Sequence, residues 1–215
     1  MDKRTHHAAI PYSILAAVRG LDLPSDPESD IYKGERAVRK LGVSGTVAAQ
    51  IERYRRLAKS DSLVEAGEVS ALARLAARRK DAALVFDDAG RRLARFSLDT
   101  RARLAIAVSR AVPGSRGKRI SRAVIAKLAR RVLGVELENS ATSADSVTAL
   151  LPPSAALSPD LQPSVCTLYG VALAELLRAA DHFDGAFEHF SCQGRGGDVC
   201  RWRTVTGPRV KTDGF

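Results

Sequence analysis

Apolar positions recur every three or four residues through most of the first two thirds of the chain, the period of helices with one buried face. Val38, Leu41, Val43, Val47, Ile51, Tyr54 and Leu57 predict one or two helices, with Gly42-Val43-Ser44-Gly45 as a weak point and Lys59-Ser60-Asp61-Ser62 as the break. A second helix is expected over about 66–79, with Val69, Leu72, Leu75 and Ala76 on its buried stripe, and a third over about 82–96 on Val85, Phe86, Ala89, Leu93 and Phe96. Asp99 or Thr100 can cap a fourth, because the side-chain oxygen satisfies an orphan amide, and Pro113-Gly114 ends it. A fifth starts near Ser121 and stops at Gly134.

Beyond Gly134 the period shortens to two. Val135-Glu136-Leu137-Glu138 alternates, 146–151 is β-rich, and the four prolines between Pro152 and Pro163 mark a surface loop. Cys166 to Ala179 returns to helix. The runs 186–190 and 199–205 then read as two strands of a hairpin joined by Gln193-Gly194-Arg195-Gly196-Gly197-Asp198. Helices first and antiparallel strands afterwards make an α+β plan, a helical N-terminal two thirds packed on a small antiparallel sheet.

The first 34 residues break the pattern. His6, His7 and Pro11, followed by Pro24, Ser25, Pro27 and Ser29, suit a mobile arm over 1–34, leaving one domain over 35–207 and a tail over 208–215. Asp2-Lys3-Arg4 before the apolar run from Ala8 to Val18 faintly resembles a signal peptide. Pro11, Tyr12 and Ser13 interrupt that run, Arg19 ends it, and no small-x-small cleavage site follows. No stretch reaches the roughly 18 apolar residues of a membrane span. The expected location is the cytoplasm, where thiols stay reduced.

Composition adds two facts. Hydrophobic residues are 45% of the chain but aromatics only 5%, so the core must be built from Ala, Leu and Val, which favours close-packed helices. The net charge of +10 arises between Thr100 and Val135, where ten lysines and arginines stand with no acid. Such a field attracts nucleic acid, an anionic membrane or an acidic partner. Read as a plain solvated helix face, it is accounted for by Ile120, Val124, Ile125, Leu128 and Val132 turning Arg119, Arg122, Lys127, Arg130 and Arg131 outward. No aromatics are interleaved for base stacking, which does not favour nucleic acid.

Candidate chemistry is concentrated in the last fifty residues, which hold every cysteine: Cys166, Cys192 and Cys200, with His189 among them. Three thiols and an imidazole suit zinc, and four protein ligands close its tetrahedron, as a structural rather than a catalytic site requires. Two other readings stay open. Cys192 and Cys200 could pair as a disulfide, and Glu188 rivals His189 for the fourth position. The placement of Cys166 in a helix and the other three on a hairpin lets a zinc tie a marginal hairpin to its neighbour.

The segments 163–170, 187–192 and 197–202, Pro-Ser-Val-Cys-Thr-Leu-Tyr-Gly, Phe-Glu-His-Phe-Ser-Cys and Gly-Asp-Val-Cys-Arg-Trp, resemble the end of the 4-vinyl reductase domain. Ala83 to Leu93 is similar to that family's helix with an alanine-glycine pair, and Arg119 to Leu137 to its helix and following strand, so that the likeness covers about 36–205. The family shares its fold with the core subunits of the TRAPP vesicle-tethering complex and includes sensory domains that detect phenols. The resemblance implies a zinc on Cys166, Cys192 and Cys200, with His189 standing where those sensors carry an acid. The order of elements is most like the photosynthetic branch, associated with 4-vinyl reduction in bacteriochlorophyll synthesis.

What the resemblance implies is a carrier or accessory factor for a hydrophobic or aromatic molecule such as a tetrapyrrole, with a protein partner or a second copy. An enzyme of 4-vinyl reduction and a sensor or interaction module are the alternatives, the last docking an acidic partner or nucleic acid through 100–135. The residues argue against independent catalysis: no GxGxxG follows a strand, and no Ser-His-Asp grouping can be assembled. Candidate pocket residues are Phe86, Leu93, Phe96, Leu128, Tyr169, Leu173 and Trp202, each of which ordinary core packing would equally explain.

Overall fold

In a computed structural model of the chain, the described residues are 4–23, 44–139, 147–153, 156–157, 164–181 and 183–206. The helices among them are α1 (Ala9–Asp22), α2 (Gly45–Lys59), α3 (Ala66–Ala77), α4 (Ala82–Ser97), α5 (Thr100–Ala111), α6 (Ser115–Leu128), which runs on through one π-turn (Ala129–Leu133), and α7 (Ser164–Asp181). Strands β1 (Thr5–His7) and β2 (Leu63–Glu65) form an antiparallel pair. The strands β3 (Glu136–Asn139), β4 (Val147–Leu151), β5 (Gly185–Ser191) and β6 (Cys200–Thr206) form an antiparallel sheet in the order β3-β4-β6-β5. The expected α+β class is therefore present, and α7 is inserted between the second and third strands of its main sheet.

Local chemistry sets the boundaries. Ser44 caps α2 by accepting from the Val47 N–H at 3.2 Å, and Asp99 caps α5 by accepting from the Ala102 N–H at 2.7 Å. Gly134 ends the α6 run in the left-handed region at φ 68°, where a β-carbon would be strained. The predicted helix over 82–96 matches α4 within a residue, and Val38, Leu41 and Val43 lie outside the described residues. So do most of the proline-rich stretch and the 208–215 tail.

The expected mobile arm is corrected. Within 1–34, residues 5–22 form β1 and α1, and Ile10, Ile14, Ala17 and Val18 are buried against the body. Pro11 does not interrupt the helix because it falls in the first turn, where no intrahelical N–H partner is lost. His7 is buried and organises this start: its Nδ1 accepts from the Ala9 N–H at 3.1 Å, and its Nε2 meets the Asp61 carboxylate at 2.9 Å. At the other end Arg79 holds the buried Asp22 through two hydrogen bonds of 2.7 and 3.0 Å. Residues 24–34 lie outside the described residues.

The core centres on α4 and α7, with α1 against the far side of α4 and β5 against α7. On α4, Val85, Phe86, Ala89, Gly90, Leu93 and Ala94 are buried at helical spacing. Gly90 sits at the crossing: a β-carbon there would lie 2.7 Å from the Leu168 carbonyl oxygen and 2.9 Å from the Val171 Cβ. A chain poor in aromatics fills its interior by this close approach of small residues.

Two outcomes follow for stability. Gly90→Ala should lower unfolding free energy by about 1–2 kcal/mol in urea titration, since the clash is with backbone and outweighs the gain in helix propensity. An unchanged midpoint would mean that α7 shifts freely on α4. Deleting residues 1–22 should abolish cooperative thermal unfolding, whereas a true arm would leave the melt unaltered.

Candidate metal centre

Strand alternation and one bulge aim the site. Cys166 lies in the first turn of α7, His189 on β5, Cys192 one residue beyond β5, and Cys200 opens β6 opposite Leu151 of β4. The register slips between His189 and Ser191, which turns Cys192 to the side that His189 occupies. The connecting turn is held by the Arg195 and Gly197 N–H groups donating to the Cys192 carbonyl at 3.1 and 2.9 Å, and by the Ser191 hydroxyl donating to the Val199 carbonyl at 2.9 Å. Gly196 takes φ 86° at its tip.

The result is a cluster in which one ligand atom from each of Cys166, His189, Cys192 and Cys200 lies within 4.8 Å of all the others. Cys166 Sγ and Cys192 Sγ are 3.8 Å apart. Two thiolates on a tetrahedral zinc, each at about 2.3 Å, sit about 3.8 Å from one another. A disulfide needs about 2.05 Å, and all three cysteines are free. His189 Nε2 is buried without a hydrogen-bond partner, a cost a metal would remove. The imidazole is further fixed by stacking on the Trp202 indole, ring centroids 4.8 Å apart and 21° from parallel. The donor set thus fits a soft or borderline divalent metal, and both the hairpin disulfide and the Glu188 alternative lose support. Glu188 points to the other face of the strand, is exposed, and pairs with Arg203 at 2.7 Å.

The thiols are electrostatically unequal in the metal-free chain. Cys200 is pulled down to about 4, chiefly by a hydrogen bond from the Cys166 thiol, with further help from His189 and the Gln193 backbone against the opposing effect of burial. Cys166 is pushed up by that same shared proton and by burial. One sulfur is already a thiolate and its neighbour keeps the proton that a metal would displace.

Beside the sulfurs lies a cavity of about 20 Å³, lined by Leu151, Leu157, Val165, Tyr169 and Gln193 together with the three cysteines. That volume admits about one water. The Tyr169 hydroxyl and the Gln193 side-chain amide nitrogen are buried without partners, and burial drives the phenol's pKa upward. On the outer side a cleft of about 210 Å³ runs over His189, Phe190, Arg195 and Gly197. Of the seven pocket candidates, Tyr169 lines the inner cavity; Phe86, Leu93, Leu128, Leu173 and Trp202 are buried in the packed core, and Phe96 packs against Tyr12 at its edge with the rings tilted by 56°. Gln193 and Leu157 carry no sequence signal and reach the cavity only through the turn and the chain preceding α7.

The fold and this site define an α+β domain with a three-cysteine, one-histidine metal-type centre. Compared with protein-family models, curated proteins and solved structures, the chain finds no match in any of the three. No described helix is long and apolar enough to cross a membrane.

Metal-free, reduced protein should retain one thiolate, seen in the ultraviolet absorbance of the sulfur, down to a midpoint near pH 4, set by Cys200. Because the folded value lies below the ordinary 9.0, the stability this group contributes is complete above pH 9 and is lost as pH falls toward about 4. Loss of all thiolate absorbance by pH 8 would contradict the shared-proton geometry.

Proposed function

We propose that this protein is a zinc-stapled binding protein that carries a hydrophobic or aromatic small molecule, of which a tetrapyrrole is the guest implied by the resemblance to 4-vinyl reductase domains. The observation that carries the first half is the clustering of four ligand atoms within 4.8 Å across α7 and the β5–β6 hairpin. Cys166, His189, Cys192 and Cys200 would hold the ion, and with all four positions taken it would act as a cross-link and supply no open site for water. The hairpin is held along β6 by its pairing with β4 and by the buried Trp202, and the ion would add a cross-link from its turn end to α7.

Support for a guest comes from the inner cavity. Two unpartnered polar groups, on Tyr169 and Gln193, sit in walls otherwise built of Leu151, Leu157 and Val165. A few convergent polar atoms in apolar surroundings is the form that small-molecule sites take. A guest larger than a water requires α7 and the hairpin turn to part, so the metal would set how far that wall opens. A carrier of this kind works by enclosing and releasing its guest, with the chemistry done elsewhere.

Native mass spectrometry should find one zinc per chain. Cys200→Ser should lose the metal and at least about 10 °C of melting temperature, as the removal of several kcal/mol of metal linkage requires. Full stability without metal would refute the staple. Trp202, the single tryptophan, reports on the guest separately: its fluorescence should fall when phenol or a free-base porphyrin is added to zinc-loaded protein. No change with either would sink the carrier reading and leave the metal reading standing.

A further inference from the structure

The hairpin of α5 and α6 carries an unusual division of its outward faces. On α5 the buried stripe is Ala102, Ile106 and Ser109. At 100° per residue the side turned away from it is Leu104, Ala107, Val108 and Ala111, all exposed, with Leu104 at 65% and Val108 at 59%. The helix is thus apolar on two sides, one buried and one shown to water. On α6 the buried stripe is Gly117, Ser121, Ile125 and Leu128, and the opposite side presents Arg116, Arg119, Lys127 and, at the second residue of the π-turn, Arg130. These four, with Arg101 and Lys118, are exposed and have no acidic partner among the described residues. The helices pack on each other across Val112-Pro113-Gly114, and Arg110 pins the pair to the body by donating to the Ala179 carbonyl at the end of α7 at 2.6 Å.

We propose that this hairpin is a docking surface for an anionic lipid membrane, lying in the interface with Leu104 and Val108 entering the acyl boundary and the α6 cations on the phosphates. Charge decides between occupants. A second copy of the same face would set uncompensated cations against each other, since 100–135 contains no acid to pair with them. Nucleic acid would use the cations but has no use for an aliphatic stripe, and the hairpin offers no aromatic ring for stacking. A headgroup layer takes both halves, apolar contact and positive charge. Such binding is peripheral, and no described helix is long and apolar enough to span. It lies on different elements from the metal centre, so it stands or falls independently of the carrier reading.

The test is sedimentation of the whole protein with vesicles of phosphatidylcholine alone and of phosphatidylcholine mixed with phosphatidylglycerol. Wild type should pellet with the mixed vesicles only. Arg116→Glu with Arg119→Glu should weaken this at least about 25-fold, about fivefold for each charge, from about 1 kcal/mol per cation at an anionic surface. Leu104→Asp with Val108→Asp should abolish it, and the milder Leu104→Gln with Val108→Gln should weaken it while leaving the melt unchanged. Leu84→Asp, at another exposed leucine, on α4, should bind as wild type. Failure of wild type to pellet with the mixed vesicles overturns the proposal. So does undiminished pelleting by the Leu104 and Val108 variants, which would reduce the face to a general polyanion binder, or retention on duplex DNA in place of the vesicles.

Discussion

Everything in this molecule is arranged around α7, a helix with a broad apolar face packed on both α4 and the sheet. Leu168, Tyr169, Ala172, Leu173, Leu176 and Leu177 are all buried and cover about half its circumference, so the helix needs neighbours on more than one side. Its contact with α4 needs Gly90, where the Leu168 carbonyl comes closer than any side chain would permit. Its contact with the sheet runs through Tyr169, whose ring lies 5.9 Å from that of Trp202. Arg178 ties its far end to β5 by donating to the Gly185 carbonyl at 2.9 Å. Because α7 is rigidly seated, Cys166 in its first turn is a fixed point against which the hairpin can be measured.

The outer half of the hairpin lacks that security. Residues of β5 alternate between exposed and half-buried, as in Glu188, His189 and Phe190, while β6 is seated by β4 and by the buried Trp202, and the turn is held by hydrogen bonds to the Cys192 and Val199 carbonyls. Bringing three thiols within reach of an imidazole concentrates acidity and nucleophilicity in a small volume, and in the reduced chain the sulfurs meet the cost by sharing a proton. A divalent ion would resolve the same conflict by taking all three as thiolates. The link between metal and cavity is then direct, because Cys166, Cys192 and Cys200 form one wall of the space that Tyr169 and Gln193 face.

The second, exposed apolar side of α5 gives the protein another feature away from the metal centre. Helices α1, α4 and α7 turn their apolar faces inward, while α5 buries little and leaves its aliphatic side exposed, and the helix it packs on, α6, carries the cations. The metal centre and this surface share no residue. A carrier that loads at one end and rests on an anionic surface at the other would need such a separation.

Much of this was readable along the chain. The three-and-four spacing of Val85, Phe86, Ala89 and Leu93 announced α4 almost to the residue, and the glycine-rich break between two β-rich runs announced the hairpin, because both signals are local periodicities. The four metal-type residues could be named for the same reason: their chemistry belongs to the side chains, not to the fold. Residues 5–22 read locally as irregular chain because of Pro11, His6 and His7, whereas Pro11 falls in a first turn and His7 gains Asp61, more than fifty positions away, as its partner. The choice of His189 over Glu188 likewise depended on which face of β5 a bulge presents, and the unpartnered polar atoms of Tyr169 and Gln193 depended on how α7 meets the turn. Composition and period are properties of neighbours in sequence, and so the chain by itself determined the elements, the charge of 100–135 and the ligand types. Register, burial and the meeting of distant side chains are set by non-local packing, which only the tertiary structure decides.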